Sequence, residues 1–280
     1  MTAPEESDPP HTHLEDFSED IIAKAQDGRR ITNRELAEQA GIDLAEVKDL
    51  KSGEPSEEAL RRAAPVLGLD PDRLVAAARR EWLPRPRSVS GLTLFTSRFR
   101  SMIVNAYLVE APDGTSVLFD TGVDPDPILA RLDRGRAALS AVLLTHGHPD
   151  HVAALGPILA AHPGTPVHAH PAEGVAEARP LEWGRTIRAG AFALRCLETP
   201  GHTPGGTSFL FEGREPALCI VGDALFAGSV GGCAGDYERS LRCVREHVLS
   251  LPPGTVLCPG HGPVTTVGEE RAHNPFFPIA

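Results

Sequence analysis

The strongest constraint on this chain is a run of ionisable side chains at the end of a predicted buried strand. Residues 141–144 form a short apolar stretch, and residues 145–151 follow it with three histidines and one aspartate. A short apolar run of this kind is typical of a buried strand. In α/β proteins, chemistry is concentrated on the loops beyond the carboxyl ends of such strands. We therefore expect a functional site on this loop.

The spacing within the loop indicates metal coordination. His146 and His148 are two residues apart, so both side chains can point the same way on extended backbone. Asp150 and His151 follow once Pro149 opens a helix. Imidazole nitrogens and carboxylate oxygens suit zinc, and also iron or manganese. Two pairs of ligands could thus face two metal ions.

This loop resembles the HxHxDH motif of the metallo-β-lactamase-fold hydrolases. Four further stretches fit that family's pattern in the right order, namely Leu-Phe-Asp-Thr-Gly at 118–122, Pro-Gly-His-Thr-Pro-Gly-Gly at 200–206, Val-Gly-Asp-Ala-Leu-Phe at 221–226 and Pro-Gly-His-Gly at 259–262. The resemblance covers about residues 92–280. It implies an α+β fold, the αβ/βα sandwich of two β-sheets between helices, with metals at one edge.

The resemblance also implies a dinuclear metal centre. All seven positions of the family's ligand set are filled, one ion by His146, His148 and His202, the other by Asp150, His151 and His261, and both by the bridging Asp223. Asp120 would orient the histidine loop from beneath without binding metal. Two divalent ions, zinc with iron or manganese as alternatives, would hold a bridging hydroxide. Asp150 is the candidate catalytic residue, which would orient the hydroxide and receive a proton.

Within the family, the likeness is to the glyoxalase II-like branch, through residues 99–109, 235–237 and 265–276. This predicts a thioesterase acting on a hydroxyacylglutathione-like small molecule. Arg98, Arg100 and Asn105 are candidate substrate-binding residues, the two arginines for an anionic tail. Two differences from glyoxalase II enzymes argue against a glutathione thioester as the substrate. The chain stops soon after Phe277, where those enzymes continue into a glutathione-binding helical extension. Residues 228–234 also lack the Gly-Arg-Thr-Asp type of sequence often found there in those enzymes. A persulfide dioxygenase with one iron and a lactonase remain alternatives.

Two other histidines are interpreted as structural. His168 and His170 form a pair in Val-His-Ala-His-Pro, but no partner motif requires them. Half-buried histidines with satisfied hydrogen bonds are common in folded proteins.

The pattern from residue 14 to residue 83 is helical. Apolar residues recur at helical spacing from Phe17 to Ala25, Thr32 with Glu35 makes a capping box, and Asp70 precedes a helix-opening proline. Residues 1–13 are polar and predicted to be disordered. Residues 84–91 contain two prolines and form a linker to the domain at 92–280.

Residues 31–53, followed by 60–74, resemble the helix-turn-helix of lambda-repressor/Cro-type domains. Gly41 would take the turn, and residues 43–51 would form the recognition helix. That helix carries three acidic residues against two lysines, and residues 19–81 hold 14 Asp and Glu against 11 Lys and Arg. This balance opposes the phosphate attraction that dominates DNA affinity. Docking or a homodimer through this region is therefore favoured, with DNA binding and a metabolite-sensing regulator as alternatives.

The composition narrows the partners further. A formal net charge of −11 argues against nonspecific adhesion to DNA or to anionic membranes. No stretch reaches membrane-spanning length, and the first residues lack the basic and apolar regions of a signal peptide. A cytoplasmic location without membrane contact is the resulting expectation.

Overall fold

The structure is a computed structural model and describes residues 13–135, 138–233 and 235–278. The first of these segments begins with five short helices. They are α1 (Ser18–Arg29), α2 (Asn33–Ala40), α3 (Leu44–Ser52), α4 (Glu57–Leu67) and α5 (Pro71–Ala78). The predicted disordered tail lies outside the described residues except for His13.

The ends of these helices follow from local side-chain chemistry. Thr32 accepts a hydrogen bond from the backbone N–H of Glu35, which confirms the predicted capping box of α2. Gly41 ends α2 with a φ of 64°, in the left-handed region that favours glycine. Asp70 caps α5 as predicted, by accepting from two backbone N–H groups. The helix-turn-helix identity of the region stays a prediction.

The rest of the chain builds two six-stranded sheets. The first contains, in spatial order, β1 (Leu92–Phe99), β2 (Met102–Glu110), β3 (Thr115–Phe119), β4 (Ala138–Leu143), β5 (Val167–Ala169) and β6 (Ala178–Pro180). The second runs from β7 (Thr186–Ala189) through β8 (Phe192–Glu198), β9 (Thr207–Phe211), β10 (Leu218–Gly222) and β11 (Val256–Pro259) to β12 (Thr265–Thr266). Strands β3 to β6 are parallel to one another, as are β10 and β11.

Helices cover the outer faces of both sheets. They are α6 (Asp126–Gly135), α7 (Pro149–Val152), α8 (Leu155–Ala161), α9 (Tyr237–Cys243), which continues as a π-helical turn at Val244–Val248, and α10 (Val267–His273). The helix that Pro149 was predicted to open is divided into α7 and α8. Among the described residues, no helix combines the length and apolar character needed to cross a bilayer.

Alternation along the strands sorts apolar side chains between the layers. Phe119 points between the sheets, where its ring lies 5.6 Å from that of Phe209, whereas Leu118 points outward. Leu118 belongs to a separate core with Ile128 of α6 and Ile158 of α8. The result is the predicted two-sheet α+β sandwich, with one apolar core between the sheets and a second core under the helices.

The N-terminal helices share a core with the outer face of the second sheet. Their buried residues form one apolar cluster with Val221 of β10, Leu257 of β11 and residues of α9 and α10. Gly28 of α1 lies so close to Tyr237 of α9 that an added Cβ would come within 2.3 Å of the ring. The helical region is therefore packed directly on the sandwich.

Candidate metal centre

Five loops place the predicted site residues at one edge of the sandwich. Each loop follows the carboxyl end of a strand, and the loops carry Asp120 after β3, His146 to His151 after β4, His202 after β8, Asp223 after β10 and His261 after β11. Because polar side chains at strand ends reach a common edge, this topology brings together residues more than 100 positions apart in the chain.

A first cluster consists of three imidazoles. One ring nitrogen from each of His146, His148 and His202 lies within 4.8 Å of the others. The closest approach is 2.9 Å, between Nδ1 of His148 and Nε2 of His202. His146 is 2% exposed, while His148 and His202 are half-buried. These are the three residues predicted to bind the first ion.

A second cluster combines a carboxylate with two imidazoles. Ligand atoms of Asp150, His151 and His261 also lie within 4.8 Å of one another. Nε2 of His261 is 3.4 Å from both Oδ2 of Asp150 and Nε2 of His151. All three residues are buried. They are the predicted ligands of the second ion.

Asp223 lies between the two clusters. Its Oδ2 is 3.3 Å from Nε2 of His202 and 3.4 Å from Nε2 of His261, and its Oδ1 is 3.5 Å from Nε2 of His151. The structure thus brings all seven predicted ligand residues into one pocket.

The chemistry of these atoms fits divalent cations. Nε2 of His146 and Oδ1 of Asp223 are buried and have no hydrogen-bond partner among the described residues. Buried polar atoms without partners are costly, at roughly 1–3 kcal/mol each, unless something else contacts them. Imidazole nitrogens and carboxylate oxygens are ligands that zinc, iron and manganese accept.

The electrostatics of the pocket also favour positive charge. Burial lowers the pKa of His146 well below its usual range, so this imidazole is neutral and able to act as a ligand. Burial alone would raise the pKa of Asp223, but His151 and His261 hold it well below its ordinary value. Burial lowers the pKa of His261, yet hydrogen bonds to Asp150 and Asp223 outweigh burial and raise it to about 11. The ionised carboxylate of Asp223 thus attracts cations to the pocket.

Hydrogen bonds behind the pocket orient its rings. Nδ1–H of His202 donates to the Gly232 carbonyl at 2.8 Å, and Nδ1–H of His261 donates to the Ile103 carbonyl at 2.8 Å. With Nδ1 bonded to a backbone carbonyl, each ring turns Nε2 towards the other site residues. On His261 this Nε2 carries a proton in the absence of metal, which a bound ion would displace.

Asp120 is placed beneath the histidine loop. Its carboxylate accepts hydrogen bonds from the backbone N–H and the hydroxyl of Thr145, and it lies 2.9 Å from Nδ1 of His151. Both oxygens are therefore engaged away from the pocket. This arrangement is typical of a residue that orients a metal ligand. Ligand atoms of Asp120, His146 and His151 also lie within 4.8 Å of one another, so the orienting role of Asp120 stays a prediction.

The three predicted substrate-binding residues have different positions. Arg98 and Arg100 are exposed at the β1–β2 turn, and the Arg100 guanidinium lies 5.3 Å from the ring centre of Phe99. Asn105 is completely buried, and its amide donates to the carbonyls of Pro259 and Gly262 on either side of His261. A substrate cannot reach Asn105, so the predicted contact is corrected to a role in holding the His261 loop.

Comparison with known proteins agrees with this geometry. A family model described as the metallo-beta-lactamase superfamily matches residues 100–261, more than half of the chain. The chain belongs to the metallo-beta-lactamase superfamily. Divalent metals are implied by this superfamily's fold, and the His/Asp clusters lie inside the matched region or at its end.

Three proteins of known sequence or structure are similar to this chain over about 60% of its length. A probable metallo-hydrolase of Streptococcus pyogenes serotype M6 is 31% identical over 198 residues, which cover 61% of this chain and 84% of that protein. The hydroxyacylglutathione hydrolase GloC of Haemophilus influenzae is 29% identical over 62% of this chain and 92% of its own length. The solved structure of TTHA1623 in a di-iron-bound form is 36% identical, with a TM-score of 0.53, over 65% of this chain and 99% of its own. The matched relatives support a metal-dependent hydrolase.

Glu173 is a site residue that sequence reasoning missed. Its Oε2 accepts the backbone N–H of Gly147 at 2.7 Å, and its Oε1 accepts that of Gly205 at 2.6 Å. One carboxylate thus joins the loop of His146 and His148 to the loop of His202. A Cβ on Gly147 would come within 2.6 Å of the Glu173 carbonyl, which explains the glycine there. The one sequence signal that could have identified Glu173 is its position just beyond the carboxyl end of β5, at the edge of the sandwich that carries the metal ligands.

The residues around Glu173 hold it in place. It ends a short 3₁₀ turn at Pro171–Glu173, in which its N–H donates to the His170 carbonyl. The His170 ring stacks on Trp183 at 4.2 Å, and Trp183 donates to the hydroxyl of Thr207. His170 therefore has the structural role predicted from the sequence.

We expect Glu173→Gln to weaken metal binding about tenfold while the protein remains folded. The amide retains one acceptor oxygen but points an NH₂ group at the second N–H donor, so the two loops lose their common anchor. Losing an outer partner of a metal ligand typically costs roughly 10–100-fold in affinity. Chelator competition would measure the change. Glu177→Gln is the matched control, because Glu177 is an exposed carboxylate four residues further on; equal affinities for the two variants would contradict the clamp.

Another carboxylate, that of Glu270, supports the loop that follows Asp223. Glu270 of α10 is completely buried and accepts hydrogen bonds from the N–H of Gly228, the amide of Asn274 and the hydroxyl of Thr265. Burial raises the pKa of Glu270 from 4.5 to about 7.

We expect Glu270→Gln to remove part of the pH dependence of stability. Because the folded-state pKa lies above the ordinary value, the folded protein binds this proton more tightly than the unfolded chain does. The resulting stability is fully present below about pH 4.5 and is lost as the pH rises through 7, a change of about 3 kcal/mol. Urea unfolding at pH 5 and pH 8 would measure it. The Gln variant should show a smaller loss than wild type, and the exposed-site variant Glu246→Gln should match wild type.

Proposed function

We propose that this chain is a dinuclear-metal hydrolase that cleaves a thioester of the hydroxyacylglutathione type, with zinc as the metal. The observation that supports it most directly is the pair of ligand clusters that share Asp223. A single-ion site would not need a carboxylate between two complete triads. In the overall reaction, water adds its oxygen to the acyl carbon, the C–S bond breaks, and the sulfur leaves as a thiol.

The proposed ligands are those predicted from the sequence. His146, His148 and His202 would hold one ion, Asp150, His151 and His261 the other, and Asp223 both. Two divalent ions so held would lower the pKa of a bound water from about 15.7 towards about 7 and polarise the acyl carbonyl.

Asp150 is the proposed catalytic residue. Its carboxylate lies 3.4 Å from His261 Nε2 and 3.7 Å from His151 Nε2, inside the pocket, where it can orient water and take up a proton. Burial opposes ionisation of Asp150, but His261 and His151 outweigh burial and lower its pKa. Asp150 is thus ionised, the form in which it would orient a water molecule.

A cleft next to His202 offers space for the substrate. It encloses about 270 Å³ and is lined by Pro200, Gly201, His202, Thr203, Pro204, Gly235, Asp236 and Arg239. Arg239 is partly exposed there and pairs with Glu198 at 2.6 Å. Arg98 and Arg100 remain candidates for an anionic tail. The thioester itself is supported by the likeness to GloC, a hydroxyacylglutathione hydrolase.

Elemental analysis followed by a substrate panel tests the proposal. We expect about two zinc ions per chain and hydrolysis of acylglutathione thioesters that stops on chelation and returns with zinc. One iron per chain with oxygen uptake on glutathione persulfide would instead indicate a dioxygenase. Two irons would replace zinc but retain the hydrolase, as the likeness to di-iron-bound TTHA1623 allows. Turnover of lactones alone would reject the thioester.

A further inference from the structure

The loop that follows Asp223 contacts several parts of the molecule. We call residues 224–232 the Asp223 loop; it contains the glycines Gly228, Gly231 and Gly232. Glycine loses more conformational freedom on ordering than any other residue. A loop of this composition therefore depends on outside contacts for a fixed shape.

On its inner side the Asp223 loop touches two predicted metal ligands. The Gly232 carbonyl accepts the Nδ1–H of His202, the bond that turns the other ring nitrogen towards the pocket. A Cβ on Gly231 would lie 3.2 Å from that same His202 nitrogen. Phe226 packs edge-on against His261, with ring centres 5.5 Å apart. The loop thus contacts one imidazole of each cluster, with a hydrogen bond to His202 and ring packing on His261.

On its outer side the same loop is held by α1. Nζ of Lys24 donates to the Val230 carbonyl at 2.9 Å and lies 4.7 Å from the ring centre of Phe226. Asp16 also accepts a hydrogen bond from Lys24 and is itself 7% exposed. A lysine that is paired, mostly buried and bonded to a carbonyl 206 residues away is an anchor between two parts of the structure.

The segment before α1 adds further contacts at the same place. A Cβ on Gly228 would lie 3.7 Å from Leu14 and 3.2 Å from Trp82. A Cβ on Gly262, next to His261, would lie 3.2 Å from the Glu15 backbone. The helical region therefore lies against both the Asp223 loop and the His261 loop.

From these contacts we propose that the N-terminal helical region is a positioning domain for the metal centre, with Lys24 as its main anchor. Lys24 fixes Val230, and Val230 fixes the Gly232 carbonyl two residues later, which orients His202. The ring of Phe226 carries the same support to His261. The inference rests on the proposed metal centre, and it gives the helices a role that requires no DNA.

The test uses the full chain with Lys24→Met, which keeps the length of the side chain but removes its donor and charge. We expect about tenfold weaker binding of one of two zinc ions, at the lower end of the loss for an outer partner of a metal ligand. We also expect a shifted visible spectrum of the cobalt-substituted protein, since the spectrum reports ligand geometry. Lys48→Met, at an exposed position on α3, is the matched control and should behave as wild type.

Further variants separate positioning from general damage. Lys24→Arg retains a donor to Val230 and should restore much of the affinity and spectrum, whereas a melting temperature alone would not distinguish these variants. If Lys24→Met does not fold, Asp16→Asn is measured instead, with a smaller loss expected. Wild-type affinity and spectrum in the folded variant would overturn the inference. Failure of the wild-type protein to bind metal would reject the proposed metal centre, a different result from equal binding by wild type and variant.

Discussion

His148→Ala should abolish thioester hydrolysis while leaving the fold intact. His148 contributes a ring nitrogen to the first cluster, 2.9 Å from that of His202, so its loss opens one of two triads. We expect kcat/KM to fall by more than about 100-fold, because even outer partners of metal ligands cost roughly 10–100-fold. The fold should persist since His148 is half-buried and makes no side-chain capping bond at the start of α7.

Three measurements on the same preparation would decide this prediction. Initial rates on an acylglutathione give the loss of activity, elemental analysis gives the metal content, and circular dichroism gives the melting temperature. His162→Ala is the control, because His162 is an equally half-buried histidine at the end of α8 that belongs to neither predicted cluster. Activity of His148→Ala within about twofold of the control, with two ions bound, would reject the proposed ligand set.

Much of the site could be predicted because its signals are local. Each ligand stands just beyond an apolar strand, and glycine or proline beside it marks a turn, as in Pro-Gly-His at 200–202 and Gly-His-Gly at 260–262. Strand ends in such a sandwich meet at one edge, so local patterns led to a distant juxtaposition. The helix caps at Thr32 and Asp70 were predictable for the same reason, since partner and donor lie within three residues.

The supporting contacts were not predictable because their partners are distant in sequence. Glu173 and Glu177 look alike in the sequence, and only the backbone N–H groups of Gly147 and Gly205 distinguish them. Asn105 lies in a stretch that matched the family, but the direction of its side chain depends on how β2 meets the His261 loop. No local pattern specifies contacts that depend on the assembled fold.

The docking of the helical region is a further case of this kind. The α1 pattern predicted an amphipathic helix but not the surface that it covers, because the Gly28 approach to Tyr237 and the Lys24 bond to Val230 span about 200 residues. The acidic character of α3 argued against DNA binding and favoured docking. Within the chain, Lys24 of α1 and Arg73 of α5 bond to the sandwich, while docking to another molecule stays a prediction.

Arg73→Ala should produce a large loss of stability, because Arg73 joins the helical region to the end of the chain. Its guanidinium is 9% exposed and donates to the carbonyls of Asn274 at 3.0 Å and Phe277 at 2.7 Å. Alanine would leave both buried carbonyls without this donor, at roughly 1–3 kcal/mol each. We expect a loss of about 2–5 kcal/mol in the free energy of unfolding, measured by urea titration at constant metal content.

The same variant tests whether the helices and the sandwich unfold as one unit. They share an apolar core, and the Asp70 N–H also donates to the Pro275 carbonyl at 2.8 Å, so unfolding of one part exposes the buried face of the other. Tryptophan fluorescence, from Trp82 at the junction and Trp183 in the sandwich, and far-ultraviolet dichroism should therefore give coincident transitions, both shifted by Arg73→Ala. Arg34→Ala, at an exposed position on α2, should leave both transitions unchanged. If the fluorescence and dichroism transitions of the wild-type protein occur at different urea concentrations, the helices unfold independently of the sandwich. A helical region that unfolds independently could not hold the metal ligands in position, and this result would contradict the positioning role.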